Sequence, residues 1–561
     1  MKGDYSNDTF DPAKHFTRVL MQQGRVQLDS DWNEQAAILL HYLQTLARDL
    51  IGPHGGPRES PGFEIGVVTN SSSKITDLLI GVGRYYVDGI LCEIEEQAPS
   101  EFKSTNRDIR YSSDEGALRY RGQPVYPRDL DLERLFENLP LLVYLDVWER
   151  HICALEDPDI REIALGGPDT AARAKVVWQV NVSEWNGDAE ITCDEFEASE
   201  AWRKLVEDRQ PTNRGYLKAR AQIPEDAQDA CVVSPEARYR GAENQLYRVE
   251  IHRGGTENSK ATFKWSRENG SVVFPIQRLA GSIVTLENLG RDDRFGIEVG
   301  NWVEIVDDDY SLLRMAERLL RIKKIDPASM EITLSGPSES NVGQDSLKHP
   351  MLRRWDQQTG DSSTGGLTLD EGGAALVVED AWLNLEDGIQ VLFQAGGNYR
   401  TGDYWLIPAR TETGDVEWPV SPDGPEARPP RGVQHHYAPL ALVFSRSGPA
   451  LADHRFDTTD LRHHFGPASG CCPTIALDYP RTVDRGDSIT FTVRINPKQD
   501  GIKLKWEVVG SVGAITGPSD QVSCEVRPNA DATAVTAKVT ITGLPSSCRN
   551  TAQGTSNIRV R

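Results

Sequence analysis

Near the start of the chain, apolar residues recur at intervals of three and four across residues 31–50. This spacing predicts an amphipathic helix of about five turns. Asp29, Ser30 or Asp31 can cap its start, and the Gly52-Pro53 pair can end it. Such a helix must bury its apolar side, either on its own domain or on copies of itself. The positions that share this side are Leu39, Tyr42, Leu43, Leu46 and Leu50.

Beyond the helix, short apolar runs bounded by turn residues predict strands. Residues 83–93 predict a hairpin that turns at Asp88-Gly89, and residues 141–150 predict a buried strand. Within 282–335, three strand-like runs surround a short helical piece from Ser311 to Arg321, which indicates a small inserted β domain with barrel-like spacing. Further strands are expected at 175–182, 247–251, 262–266, 272–274, 388–393 and 399–410.

The last part of the chain alternates strictly between apolar and polar residues, as in 489–495 and 535–541. Period-two runs separated by turns predict a small antiparallel sandwich, which resembles the immunoglobulin-like or polycystic-kidney-disease-like modules of many bacterial surface proteins. Cys472 precedes the first of these strands and Cys548 follows the last, so the pair could clamp the two ends of the module and is a disulfide candidate. The alternative is that both are unpaired small hydrophobic residues.

These patterns together predict a mainly β, multi-domain chain. The expected order is an N-terminal segment with an amphipathic helix, a β-rich body with a small inserted β-barrel-like domain, and a C-terminal immunoglobulin-like β-sandwich. The predicted boundaries are 1–60, 61–280, 281–340 for the insertion, 341–465 for the second part of the body, and 471–561.

Composition and charge narrow the function. The 561 residues hold 84 acidic and 61 basic side chains, a formal net charge of -23, and no dense basic run. Because nucleic-acid binding needs a basic footprint, this class is disfavoured. Most of the negative charge lies before residue 471, since residues 471–561 contain 11 basic and 8 acidic side chains.

Targeting signals are not evident in the sequence. It holds no apolar run long enough to span a membrane, and the N-terminus has acidic residues where a signal peptide needs an apolar core. We therefore expect cytoplasmic synthesis without a signal peptide and no membrane insertion. Assembly into a particle, with release by lysis or another unconventional route, stays open.

Motifs for catalysis are not evident either, because the chain has no nucleophile elbow, phosphate loop, His-Glu-x-x-His pair or dinucleotide glycine fingerprint. The sequence thus predicts no catalytic residues and no cofactor. One histidine-rich group could hold zinc, but its adjacent pairs lack the spacing of a closed structural site, so a solvated loop is expected and no metal is predicted. The group comprises His435, His436, His454, His463 and His464, followed by Cys471 and Cys472.

Aromatic residues in strands offer one candidate for ligand binding. Tyr404 and Trp405 are adjacent and so point to opposite faces of a strand. If one faces outward, it could stack on a sugar ring of a cell surface. Burial in the core, with the indole donor satisfied, is the alternative.

A family resemblance joins these features. The block from Phe10 to Glu34 resembles the start of an uncharacterised bacterial family often met beside genes for phage-tail-like contractile injection systems. Later blocks are similar as well, and the resemblance covers about residues 1–465. They are Tyr144-Leu145-Asp146-Val147-Trp148-Glu149-Arg150, Ala164-Leu165-Gly166-Gly167-Pro168-Asp169-Thr170, Thr262-Phe263-Lys264-Trp265-Ser266-Arg267 and Tyr399-Arg400-Thr401-Gly402-Asp403-Tyr404-Trp405.

The resemblance implies a non-enzymatic structural protein of such a particle, as a fibre, a baseplate-associated part or a surface appendage, with other particle components as partners. Tail appendages are commonly symmetric oligomers, so we expect a homo-oligomer, with a trimer as one option, that meets through Leu39, Leu43, Leu46 and Leu50. Target attachment to a surface glycan or protein would be an added role. The alternatives are a carbohydrate-active enzyme and a free-standing adhesin.

Overall fold

A computed structural model gives the fold. It describes residues 1–58, 61–69, 74–95, 111–112, 117–125, 132–187, 191–210, 214–222, 238–290, 294–446 and 455–466, and eight strands between 474 and 560. The chain divides into two compact units. One comprises Met1–Gly56 and Ser60–His464, and the other comprises Pro57–Glu59 and Phe465–Arg561.

The described chain is mainly β, with several separate sheets, as the sequence predicts. Its helices are α1 (Asp29–Ile51), α2 (Leu132–Glu137), α3 (Cys193–Glu197), α4 (Glu200–Arg209) and α5 (Asp308–Leu312). None of these helices is long and apolar enough to cross a membrane.

The strands of the first half are β1 (His54–Pro57), β2 (Ile65–Thr69), β3 (Ile75–Gly81), β4 (Gly83–Val87), β5 (Ile90–Ile94), β6 (Tyr111–Ser112), β7 (Ala117–Arg119), β8 (Leu141–Ile152), β9 (Arg173–Glu184), β10 (Leu217–Ala221), β11 (Gln245–Arg253) and β12 (Thr262–Ser266). Next come β13 (Val273–Ala280), β14 (Ile283–Leu286), β15 (Trp302–Val306), β16 (Leu320–Asp326), β17 (Glu331–Leu334) and β18 (Met351–Trp355). They are followed by β19 (Ala375–Leu376), β20 (Leu383–Asn384), β21 (Ile389–Phe393), β22 (Tyr404–Arg410), β23 (Asp415–Val416), β24 (Val420–Ser421), β25 (Gly424–Pro425), β26 (His436–Arg446), β27 (Arg455–Asp460) and β28 (His464–Phe465). The last eight are β29 (Thr474–Asp478), β30 (Thr482–Val483), β31 (Ile489–Asn496), β32 (Lys503–Val509), β33 (Val512–Ile515), β34 (Ser523–Pro528), β35 (Ala534–Thr542) and β36 (Ala552–Val560).

Two sheets form the centre of the first unit. One has the order β27-β26-β8-β9, and its long strand β8 reads as a nearly continuous apolar run because it is buried on both faces. The other has the order β19-β12-β11-β22-β23. Smaller sheets pack beside them, including β2-β3-β7-β6 and the three strands β10, β21 and β20.

The strands β13 to β18 close into a six-stranded antiparallel barrel in the order β13-β14-β17-β16-β15-β18, with β18 pairing back to β13. Three of its strands lie where the sequence predicts them. The helical piece predicted from Ser311 to Arg321 is wrong. Only the short helix α5 (Asp308–Leu312) forms there, and the apolar residues that follow, Leu319 and Leu320, are buried where the chain enters strand β16.

The hairpin of β4 and β5 turns at Asp88-Gly89 as predicted, with both residues at positive φ, which is the conformation of a type I′ turn. This turn also supports helix α1. A Cβ at Gly89 would overlap the Gln44 carbonyl of α1, so only glycine lets the helix backbone come this close. Nε of Arg48 on α1 lies 3.2 Å from Oδ1 of Asp88.

Helix α1 begins earlier than the sequence predicts. Its cap position is Leu28, which has no side-chain oxygen to offer, and the Asp31 carboxylate instead accepts a hydrogen bond from the Leu28 N–H at 3.3 Å. Asp29, one of the predicted caps, accepts from the backbone N–H of Ser6 at 2.9 Å. Gly52 ends the helix at φ 99°, as expected.

In the second unit, the eight strands form two four-stranded sheets with the orders β29-β31-β34-β33 and β30-β36-β35-β32. All pairs are antiparallel except β30 with β36. Cys472 and Cys548, the predicted disulfide candidate, lie outside the described residues.

Candidate functional sites

Helix α1 presents an apolar side to solvent. The exposed fractions of Leu39, Leu43, Leu46 and Leu50 lie between 53% and 65%, and Trp32 is 68% exposed. With the exposed Ala36, these residues follow one another in alternate steps of four and three, the spacing by which one helix packs along another. We call this row of six residues the α1 seam.

The chain that precedes α1 also exposes large apolar side chains. Phe16, Leu20, Met21, Val26 and Leu28 are each more than half exposed. So many large apolar side chains exposed to water are unusual on a monomeric protein, and exposed apolar patches commonly mark interaction sites.

The opposite side of α1 faces the body through a narrower and less apolar set of residues. Ser30 and Ile38 are buried, and the remaining contacts use small or polar side chains such as Ala37, Gln44 and Ala47, which are half-buried. Helix α1 therefore does not bury its leucines on its own body, which was the first of the two alternatives of the sequence analysis. The large apolar residues point away from the body.

Tyr404 and Trp405 lie on strand β22, and the expectation that one of them faces outward is wrong. Trp405 is 2% exposed, its indole N–H donates to the Arg428 carbonyl at 2.9 Å, and its ring packs on Phe393. Tyr404 is 9% exposed because the Arg248 guanidinium covers its ring. Both faces of β22 are covered, so neither ring offers a surface for stacking on a sugar.

The structure separates the histidines that the sequence groups together. Nδ1 of His435 lies 2.6 Å from a carboxylate oxygen of Asp146, and Nδ1 of His436 lies 2.8 Å from Asp88. His454, Cys471 and Cys472 lie outside the described residues. Among the described members of this group, His463 is the one that lies in a cluster of three ligating side chains, and its partners come from distant parts of the chain.

Three ligating groups converge at His463. Nε2 of His463 lies 2.7 Å from Oε1 of Glu197, and Nε2 of His54 lies 2.6 Å from the same oxygen. The three ligand atoms all lie within 4.8 Å of one another. His54 is 2% exposed, whereas Glu197 and His463 are half-buried. We call these three residues with Cys193 the His54 cluster.

Cys193 and Glu197 reach this cluster from the two ends of helix α3. They are four residues apart and so lie on one side of the helix. Thr192 and Glu195 cap its first turn, and Phe196 anchors it in the core, with its ring centroid 4.7 Å from that of Trp185. Sγ of Cys193 lies 3.4 Å from Nε2 of His463 and 3.9 Å from Oε1 of Glu197.

Surrounding hydrogen bonds hold the two histidines in place. The Tyr85 hydroxyl lies 2.7 Å from Nδ1 of His54 and accepts the backbone N–H of His463 at 3.3 Å. The segment before His463 is fixed by Arg462, whose guanidinium donates twice to Asp460 and once, at 2.9 Å, to the Gly62 carbonyl. Such a second layer orients metal-ligating side chains.

The surroundings of the His54 cluster favour a negative charge on Glu197 and a positive charge on His463. The neighbouring Cys193 and Glu197 side chains raise the pKa of His463 to about 10, and the neighbouring imidazoles of His463 and His54 lower the pKa of Glu197 to about 2. At neutral pH the carboxylate is therefore ionised and faces a protonated imidazole. A metal cation could take the place of that proton.

A second buried cluster lies where sheet β19-β12-β11-β22-β23 meets the barrel. Lys264 of β12 contacts Glu304 of the barrel strand β15 and lies 3.4 Å from Glu250. Glu304 also accepts hydrogen bonds from the Tyr310 hydroxyl at 2.6 Å and the Trp355 indole at 2.9 Å. The two carboxylates and Lys264 are at most 3% exposed. This is a structural ion-pair network, since each carboxylate is held by fixed donors.

The ion-pair network around Lys264 predicts that the protein loses stability in acid. Burial alone would raise the pKa of Glu304, but Lys264, Lys2 and His252 outweigh it and lower the pKa to about 2, from 4.5. Stability from this carboxylate is therefore present above pH 4.5 and lost as the pH falls towards 2, by about 3 kcal/mol in all. In urea unfolding across this range, the stability gap between wild type and Glu304→Gln should shrink in acid. A gap that stays constant with pH would contradict the assignment.

The sequence analysis names His463 among possible zinc ligands, but it does not name His54 or Glu197. His54 and Glu197 carry no local pattern that links them, and they lie 409 and 266 positions before His463. The one available signal is the spacing of Cys193 and Glu197, which puts a thiol and a carboxylate on one side of a helix if the segment is helical.

Comparison with known proteins gives one match. A search of curated proteins finds none similar to the chain. A family model described as "Family of unknown function (DUF6519)" matches residues 1–192 and 185–449. Because these matches cover well over half of the 561 residues, the chain belongs to the DUF6519 family, whose function is unknown.

Proposed function

We propose that the protein is a non-enzymatic structural component of a phage-tail-like contractile particle and that it self-associates through the α1 seam. The observation that carries this proposal is the exposure of Leu39, Leu43, Leu46 and Leu50 on one side of α1. The occupant is a second copy of the chain, because the steps of four and three suit the same seam on another helix.

Energetics are compatible with self-association. Removing an exposed leucine side chain from water contributes about 1–2 kcal/mol, so the four leucines of each of two copies contribute about 8–16 kcal/mol. Association costs about 4–15 kcal/mol in lost translational and rotational freedom. The leucines alone therefore bring association near balance, and Trp32 with the apolar residues before α1 adds to it. A third copy would bury more of the same surface.

The second unit supports a role in display. Its sheet orders, with one parallel pair at β30 and β36, match the strand arrangement of an immunoglobulin-like sandwich, a module often used for adhesion. We propose that oligomers present several such modules at once, for attachment to a cell-surface glycan or protein. Tyr404 and Trp405 play no part in that contact because both are buried.

If copies of the chain associate through the α1 seam, negative charges introduced into the seam should separate them. Leu43→Glu with Leu46→Glu should convert an oligomeric wild type to a monomer, because the carboxylates cannot be buried against a second apolar helix. Mass by light scattering, over a range of protein concentrations, measures this. Far-UV circular dichroism should stay unchanged, since both side chains are exposed in the monomer.

A matched control keeps the test specific. Leu347→Glu with Val420→Glu also adds two charges at exposed apolar positions, outside the seam, and should leave the oligomer intact. A monomeric wild type, or a seam variant of unchanged mass, would overturn the assembly proposal. The particle role is tested separately, by detecting the chain on contractile particles purified from its native host, and its absence from them would overturn that part alone.

A further inference from the structure

We infer that the His54 cluster binds one zinc ion, with Nε2 of His54, Nε2 of His463, the Glu197 carboxylate and the Cys193 thiolate as ligands. The inference is independent of the proposed function. It depends on side chains from three segments, β1, α3 and the residues just before β28, which bring the ligand atoms of His54, Glu197 and His463 within 4.8 Å of one another, with the Cys193 thiol 3.4 Å from His463.

The first argument is the convergence of ligand atoms on one oxygen. Two imidazole nitrogens lie 2.6 Å and 2.7 Å from Oε1 of Glu197. Nitrogen lone pairs cannot face a carboxylate oxygen at this distance, so a positive centre, either protons or a metal ion, must lie among them. The ligands of a tetrahedral zinc site are about 3.3–3.6 Å apart, so the half-exposed Glu197 side chain needs to retract by less than about 1 Å.

The second argument is the state of His54. Although its Nε2 lies 2.6 Å from Oε1 of Glu197, that buried atom has no hydrogen-bond partner. An unsatisfied imidazole nitrogen in a residue that is 2% exposed costs free energy. Coordination of a metal would remove this cost, with Nδ1–H donating to the Tyr85 hydroxyl as the supporting hydrogen bond.

The third argument identifies the metal. Nitrogen, sulfur and carboxylate ligands together are typical of zinc, and four protein ligands are typical of a structural rather than a catalytic site. Sγ of Cys193 is 3.4 Å from Nε2 of His463, close to the separation of two ligands on one ion. On binding, the thiol would lose the proton that it now directs at the Leu461 carbonyl. The ion would then link strand β1 to helix α3 and to the segment between β27 and β28.

Metal content tests the inference on the full chain. After removal of metal with a chelator and dialysis against zinc, the protein should retain about one zinc per chain, and Tm should be higher with zinc than with chelator. His54→Gln, Glu197→Gln and His463→Gln should each lose most of the bound zinc. His349→Gln should keep it, because this control histidine pairs with Asp308 at 2.9 Å but belongs to no group of three ligating side chains among the described residues.

Cobalt tests the role of Cys193. Co²⁺ in the site should give the visible absorption of tetrahedral cobalt and a near-ultraviolet sulfur-to-cobalt charge-transfer band. Cys193→Ser should remove that band, and the control Cys153→Ser should retain it. No zinc in the wild type, or zinc retained by His54→Gln and His463→Gln alike, would overturn the site. Bound cobalt without a charge-transfer band in wild type would overturn Cys193 as a ligand.

Circular dichroism identifies any variant that fails to fold. For such a variant, the shift of the wild-type Tm on adding zinc decides whether the site binds metal.

Discussion

Lys264→Met should lower the free energy of unfolding by about 3–5 kcal/mol. The substitution removes the cation that lies between two buried carboxylates. Glu250 keeps Arg248 and Lys2 as partners. Glu304, however, keeps only the neutral donors Tyr310 and Trp355 in a region closed to water. Denaturant unfolding at neutral pH measures the loss. Because the methionine side chain fills nearly the same volume, a cavity does not explain the effect.

Two comparisons make this result specific. Lys324→Met, on the exposed side of the barrel strand β16, should change stability by no more than about 0.5 kcal/mol. Adding Glu304→Gln to Lys264→Met should recover part of the loss, since it also removes the Glu304 charge that the first substitution leaves unpaired. If Lys264→Met unfolds like the wild type, water reaches the network and it contributes no stability.

Trp405→Ala should be comparably destabilising, by about 3–5 kcal/mol. The ring is buried against Phe393, and its removal leaves a cavity and an Arg428 carbonyl without its indole donor. Trp382→Ala is the control. That ring is half-buried and stacks on Arg220, with the guanidinium carbon 3.9 Å from the ring centroid, so its loss should cost about 1–2 kcal/mol.

The Trp405 result also separates core packing from ligand binding. Thermal and denaturant unfolding should move together, and surface attachment should change only as far as folded protein is lost. A Trp405→Ala protein with wild-type stability but lost attachment to glycan would mean that the ring is accessible, contrary to its position in the core.

Local patterns predicted local structure. The Asp88-Gly89 turn was predictable because its dipeptide favours positive φ, and β8 because both of its faces are buried. The helix expected at 311–321 failed for a tertiary reason. Its leucines follow a helical period, but pairing with β15 and β17 draws the end of the segment into the barrel as β16.

Long-range features were harder to predict. The four leucines of the α1 seam could be predicted from spacing alone, because one helix holds them, but Trp32 and Ala36 were not in the predicted set. The His54 cluster could not be predicted, because three segments that are far apart in sequence meet only after the sheets have formed. Nor could the burial of both Tyr404 and Trp405, which needs knowledge of what covers each face of β22.

The closed barrel has a consequence for how this fold can evolve. Its first and last strands pair with each other, at Val273 with Arg353, so the chain enters and leaves the barrel at neighbouring points. Such a connection is typical of an insertion that recombination can exchange as a cassette. Yet Glu304 inside the cassette pairs with Lys264 outside it, so a transplanted barrel keeps its stability only in a host that supplies the matching cation.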